Sequence, residues 1–237
     1  MGNTKGFSLV ESLLSLAFSL IIILAGLELF GVSRDFFLRL RSGSEDRRAA
    51  LAALDKLESD IGRAGRFLAV PVGLGLLDGL DAGEGGLKIE GAEEELALLR
   101  DIEPGQRRIE VVDASGIKIG REVVLGDGTG AQVFRVDAVE DDTFSIDPAA
   151  GAFYARETSR LFLLTRVEYA LDAAAGIIRR KENGGGGQPL LESVRLFEAS
   201  YDEGPNTAFA RLALRTKEKK IYERHMFPKN MSRAFRK

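Results

Sequence analysis

The hydrophobic rhythm of the chain changes twice. From Phe7 to Phe30 almost every position is apolar or small, and Glu11 and Glu28 are the only ionisable side chains. A helix that spans a bilayer needs about 20 mainly apolar residues, so this segment predicts one span. Further on, Leu51, Leu54, Leu57 and Ile61 recur at three- and four-residue spacing, with Ala50 and Ala53 beside them. Asp46, Arg47, Arg48, Lys56, Ser59, Asp60 and Arg63 fill the other face. That is the repeat of an amphipathic helix, and its apolar stripe is expected to pack on a sheet. No proline precedes Pro71. The pattern therefore predicts one helix from about Phe7 to about Ile61, ended by Gly62 and Gly65. Gly26 and Gly31 are its weakest positions.

After Phe67 the rhythm turns β-like. Glycine-rich turns near Gly73–Gly75 and Gly83–Gly86 separate short apolar runs. Arg108–Val112 reads as a strand. Gly120–Val136 reads as a hairpin about the turn dipeptide Asp127-Gly128. Thr143–Ile146 adds a strand, and Ile117–Pro148 together reads as a small inserted β subdomain. Leu161–Leu171, the turn Asp172–Gly176 and Ile177–Arg180 form a second predicted hairpin. Gly184–Gly187 is expected as a flexible loop. Leu190–Tyr201 and Phe209–Arg215 are further strands. The predicted class is α+β, a long N-terminal helix packed on an antiparallel β-sheet head.

Composition adds mainly exclusions. The 237 residues carry a formal net charge of -3, so no basic excess points to nucleic acid. Cysteine is absent, which removes disulfides, thiolate catalysis and thiolate metal sites. A secretory signal peptide should have an apolar run of about 7–15 residues and a small-residue cleavage site. The run here is longer and no such site follows it.

The sharpest signal lies at the start of the span. A carboxylate within an apolar span costs on the order of 3 kcal/mol on insertion scales, so it normally has a partner or a role. Glu11 is such a group. It stands in Lys5-Gly6-Phe7-Ser8-Leu9-Val10-Glu11, fifth counting from Phe7. This order of Lys-Gly, Phe, fifth-position Glu and long apolar run resembles the leader of type IV pilins and type II secretion pseudopilins. The resemblance implies cleavage by a prepilin peptidase between Gly6 and Phe7, N-methylation of Phe7, and a role for Glu11 in assembly.

The physics of those implied roles is coherent. Cleavage creates an α-amino group with a reference pKa of about 7.7–8.0. Glu11 lies about 6 Å from Phe7 along a helix axis, so pairing with a neighbouring subunit's amine would compensate both charges. Ser8, Ser12, Ser15 and Ser19, with Gly26, form a small-residue face suited to close helix packing. Backbone bonding by the serines is the plainer reading of that face. Arg34, Arg39 and Arg41 follow the span and only Lys5 precedes it, which by charge bias alone favours the reverse orientation. The leader motif instead implies a cytoplasmic N-terminus in the inner membrane, with a periplasmic or extracellular head.

Asp60-Ile61-Gly62-Arg63-Ala64-Gly65 resembles the helix end of PilW-like minor pilins and J-type minor pseudopilins. Val167-Glu168-Tyr169, Gly176–Arg180, Leu191–Val194 and Tyr201 resemble, more loosely, the C-terminal region of PilW-like proteins. The implied organisation is a leader at 1–6, a filament-core helix at 7–32, an amphipathic continuation at 33–66 and a head at 67–237. The implied function is a minor pilin that primes or caps a pilus. Its implied partners are other minor and major pilins or pseudopilins, the prepilin peptidase and the inner-membrane assembly platform. A J-type pseudopilin is the alternative, and a membrane-anchored adhesion or sensor domain that never polymerises is a second.

No enzyme site, cofactor or metal site is expected. His225 has no second histidine beside it and reads as a surface or strand residue. Gly126, Gly128 and Gly130 lack the Lys-Ser/Thr of a phosphate loop. Glu93–Glu95 and Asp141–Asp142 lack EF-hand spacing and read as solvated loops. The basic residues of Lys217–Lys220, Arg224, Lys229, Arg233, Arg236 and Lys237 read as a solvated edge strand and a frayed terminus.

Overall fold

The computed structural model describes residues 9–83, 86–215 and 220–231. The chain is α+β, with a long apolar N-terminal helix and a large antiparallel β-sheet domain. Helix α1 runs Leu9–Ile61 without a break, as the uninterrupted helical pattern predicts. The chain forms two compact units, the first ending at Ala49 and the second beginning at Ala50. In the first unit every described residue from Leu9 to Ser42 is exposed.

In the second unit the buried positions of α1 are Ala50, Ala53, Leu54, Leu57, Asp60 and Ile61. Two expectations are corrected here. Leu51, assigned to the apolar stripe, is 36% exposed, and Asp60, assigned to the polar face, is 1% exposed. At about 100° per residue, Asp60 falls beside Ala53 and Leu57, whereas Leu51 lies well round the helix.

The turn after α1 is tied to the sheet. Gly65 takes a positive φ of 67°, and its N–H donates to Glu90 O at 2.8 Å. The Ala92 N–H donates back to Arg66 O at 3.0 Å. Phe67 also has a positive φ, 59°, unusual for a bulky side chain. Its ring stacks on Phe162 at 5.8 Å. A short helix, α2 (Ala69–Gly73), follows where the sequence reads as β-rich. Its Pro71 falls in the first turn, where a missing N–H is tolerated.

Among the described residues nine strands form one sheet: β1 (Leu80–Gly83), β2 (Gly86–Leu96), β3 (Arg108–Glu110), β4 (Glu122–Gly126), β5 (Ala131–Glu140), β6 (Thr143–Asp147), β7 (Arg160–Asp172), β8 (Ile177–Glu182) and β9 (Gln188–Leu191). β7 is the spine. One of its edges pairs with β2 along almost its whole length. Its other edge pairs first with β4, over 160–163, and then with β8, over 167–172. The sheet therefore forks along β7 at residues 164–166. A second sheet contains β10 (Val194–Asp202), β11 (Thr207–Leu214) and β12 (Ile221–Met226).

β2 carries a correction. Glu93–Glu95 lie in this strand rather than in a loop, where Glu93 pairs with Arg121 and Glu95 with Arg160. The predicted strand Leu190–Tyr201 is likewise divided into β9 and β10 at Ser193, whose φ is 57°. Asp141–Asp142 form the tight turn between β5 and β6, with Asp141 at φ 47°.

The Asp127 loop forms where predicted, by a different device. Neither Asp127 nor Gly128 has a positive φ. Instead Asp127 Oδ1 accepts from the N–H groups of Thr129 and Gly130 at 2.7 and 2.8 Å. An Asx turn closes the loop rather than glycine's freedom.

Two apolar cores result. The larger joins the α1 stripe to β1, β2, β7, β8 and the three-stranded sheet, through residues such as Leu54, Leu57, Tyr169, Val194 and Leu212. The smaller is built on β3 to β6, around Ile109, Val123, Phe134, Phe144 and Ile146.

Candidate functional site

Gly6, Phe7 and Ser8, the predicted cleavage, methylation and packing residues, lie outside the described residues. Glu11 lies near the start of the described part of α1. Ser12, Ser15, Ser19 and Gly26 all fall on exposed helix. At about 100° per residue they share an arc of about 60°, with Glu11 about 40° beyond its edge. Ser19 Oγ donates to Ser15 O at 2.8 Å, the plainer serine role. A Cβ added at Gly26 would meet nothing within 4 Å, so that face of the helix is open to a close neighbour. This helix is long and apolar enough to cross a membrane.

The polar chemistry of the head is concentrated around two buried carboxylates, Asp60, which the sequence pattern places on the polar face, and Glu90, which it does not mark. Asp60 Oδ2 accepts from Tyr169 Oη at 2.5 Å and from Arg180 Nε at 2.7 Å. Its Oδ1 accepts from Lys56 Nζ at 3.0 Å. Burial pushes the carboxyl's pKa up, but the bonds from Arg180, Tyr169 and Lys56 outweigh it and hold the group below its ordinary value. Burial and the adjoining carboxylate push the Tyr169 phenol up. Glu90, 2% exposed, accepts from Arg166 Nε at 2.8 Å and the Asp78 N–H at 3.2 Å, and pairs with Lys88 at 3.0 Å. Its pKa is also lowered, the bonds from Lys88 and Arg166 overcoming desolvation. All three donors to Asp60 hold the ionised form, leaving no proton to exchange near neutrality. These carboxylates tie elements together. Asp60 joins the last turn of α1 to β7 and β8, and Glu90 joins β2 to β7.

His225 lies on β12 with an exposed side chain, tilted against the Phe209 ring at 5.0 Å. Arg224 beside it reaches Asp55 and Glu58 of α1. Among the described residues no group of three or more His, Asp or Glu is placed to hold a metal ion.

No protein-family model matches the chain, and no curated protein matches it. Similar solved structures are phage proteins. The Gp54 tailspike of Acinetobacter baumannii bacteriophage AP22, solved with a capsular saccharide, is 18% identical over 32% of this chain and 15% of its own, with a TM-score of 0.30. The tailspike gp61 of Pseudomonas phage phi297 is 15% identical over 30% and 14%, at 0.28. The phage phi92 endosialidase is 14% identical over 62% and 26%, at 0.22. At such TM-scores these likenesses carry no argument about fold or function. The class that fold and site define is an α+β protein with one candidate membrane-spanning helix at its N-terminal end.

Proposed function

We propose that the chain is a PilW-like minor pilin, a structural subunit that primes or caps assembly of a type IV pilus. In this reading it is a substrate of prepilin peptidase rather than an enzyme. The peptidase cuts between Gly6 and Phe7 and Phe7 is methylated. Glu11 then pairs with the new amine of a neighbouring subunit, and the serine face packs against that subunit's helix. The N-terminus is cytoplasmic, the span lies in the inner membrane, and Ile117–Pro148 is an inserted subdomain of the exported head. Its partners are other pilins and the inner-membrane assembly platform.

The observation that carries the reading is Glu11, a carboxylate in an apolar stretch of α1 that is exposed from Leu9 to Ser42, placed fifth counting from Phe7 after the Gly6-Phe7 junction. An exposed apolar helix of this length needs lipid or protein around it. A carboxylate within such a span is costly and normally serves a role. A J-type minor pseudopilin of type II secretion is the second reading, favoured by the Asp60–Gly65 stretch common to both groups.

Glu11→Ala tests the assembly step. The variant should insert into membranes like the wild type and fail to enter filaments. Normal incorporation, read by immunoblot of sheared filaments, would refute the pairing.

A further inference from the structure

The fork in the nine-stranded sheet opens a groove of ≈ 230 Å³ that the assembly reading does not use. β4 leaves the edge of β7 after Leu163 and β8 joins it at Val167. Between them the edge of β7 is satisfied by two side chains and by the Asn183 N–H, which donates to Arg166 O at 2.8 Å. Arg121 Nη2 donates to Leu164 O at 3.1 Å, and the Arg166 N–H donates to Asn183 Oδ1 at 2.9 Å. The polar wall consists of Arg121, Glu122, Arg135, Arg166, Glu168 and Asn183.

The pairing within this wall is incomplete on the cationic side. Arg166 is committed to Glu90 and Glu122. Arg121 spends Nη2 on Leu164 O and Glu93, and its Nε is closed to solvent, so only its remaining Nη1 can face a ligand. Arg135 is exposed and makes no ion pair or hydrogen bond among the described residues. Its guanidinium folds over Gly120, with Nη2 3.8 Å from where a Cβ there would lie. Gly120 has a φ of 83°, which holds the 120–121 turn against the groove without a side chain to block it. Asn183 uses its carbonyl oxygen on Arg166 and keeps its amide donors.

With the ion-pair partners included, Arg121, Arg135, Arg166, Lys88 and Lys181 meet Glu90, Glu93, Glu122 and Glu168, leaving one net positive charge at Arg135, which matches a monoanion better than a dianion. The carboxylates of Glu122 and Glu168 and the amide of Asn183 offer acceptors and donors side by side, the pattern that binds neighbouring hydroxyls. The volume suits a single ring. We propose that this groove binds an acidic sugar, its carboxylate held by Arg135 and Arg121 and its hydroxyls by Glu168 and Asn183. The site belongs to the head alone and stands whether or not the chain polymerises.

Saturation-transfer NMR on the full-length chain in detergent, with sodium glucuronate, glucose and inorganic phosphate as probes, tests this. Glucuronate should bind saturably at millimolar concentration, at least tenfold more tightly than glucose or phosphate. Arg135→Ala, at an exposed unpaired residue, should weaken it at least tenfold. Arg108→Ala, on β3 and paired with Glu140, should not change it. Glu168→Ala separates a sugar from a bare anion, because losing the hydroxyl acceptor weakens glucuronate whereas losing a repulsive charge tightens a simple anion. Absence of saturable glucuronate binding would overturn the proposal, as would equal binding of phosphate, an unchanged Arg135→Ala variant or a Glu168→Ala variant that binds glucuronate more tightly.

Discussion

Asp60→Ala should be among the most destabilising single changes in the head. The carboxylate is 1% exposed and receives three donors. Of these, Lys56 is 39% exposed and can return to water. Arg180 is 14% exposed and keeps Glu182 through Nη1, yet its Nε loses its acceptor. Tyr169 is 1% exposed, and its hydroxyl loses the carboxylate it donates to. Breaking a buried pair by removing one partner costs about 3–5 kcal/mol, and Asp60→Ala should fall in that range. Tyr169→Phe, which removes one donor of three, should cost about 1 kcal/mol. Urea unfolding followed by near-UV circular dichroism reads this cleanly, because all four tyrosines lie beyond the apolar helix, at 154, 169, 201 and 222. The folded carboxyl titrates below its ordinary value of 3.8. Its contribution is therefore complete above that value and disappears as pH falls through the lower folded pKa. The stability advantage of wild type over Asp60→Asn should be flat from neutral pH down to about 4.5 and shrink below about 3.8. A cost under about 1 kcal/mol for Asp60→Ala, or an advantage that vanishes near neutrality, would refute the linking role.

Gly65→Ala meets two obstacles, a positive φ of 67° and a Cβ that would lie 2.9 Å from Asn230 O and 2.7 Å from Met231 Sδ. It should cost about 1–3 kcal/mol, measured by the same urea transition. Arg224→Ala should cost no more than about 1 kcal/mol despite its two ion pairs, because Asp55 and Glu58 are 67% and 54% exposed. Salt titration of the wild type should show a correspondingly small effect.

Much of this fold is legible in the sequence where one local rule acts alone. The long helix follows from an apolar run with no proline, and its end from Gly62 and Gly65. The hairpins of β4–β5 and β7–β8 follow from turn residues between apolar runs. The failures have tertiary causes. β2 was hidden by Gly86, Gly91 and three successive glutamates, all poor strand formers. Gly91 is there because a Cβ would lie 2.5 Å from Arg63 O. A glycine inside a strand marks such close approach, and that signal was available. The pattern puts Asp60 on the solvent face because carboxylates are rarely buried unpaired. Its partners Tyr169 and Arg180 are 109 and 120 residues away, beyond any local pattern. The groove residues were equally scattered, from 120 to 184, and meet only because β4 and β8 share one edge of β7. The N-terminal motif is the reverse case. It is sharp in sequence, and four of its residues, Lys5 to Ser8, lie outside the described residues.

The central claim is that this chain is processed and then assembled through its N-terminal helix. Intact mass spectrometry of the protein purified from cells with active prepilin peptidase tests it most directly. The account predicts loss of Met1 through Gly6 and a methyl group on Phe7. A chain that retains Met1 under those conditions would contradict it.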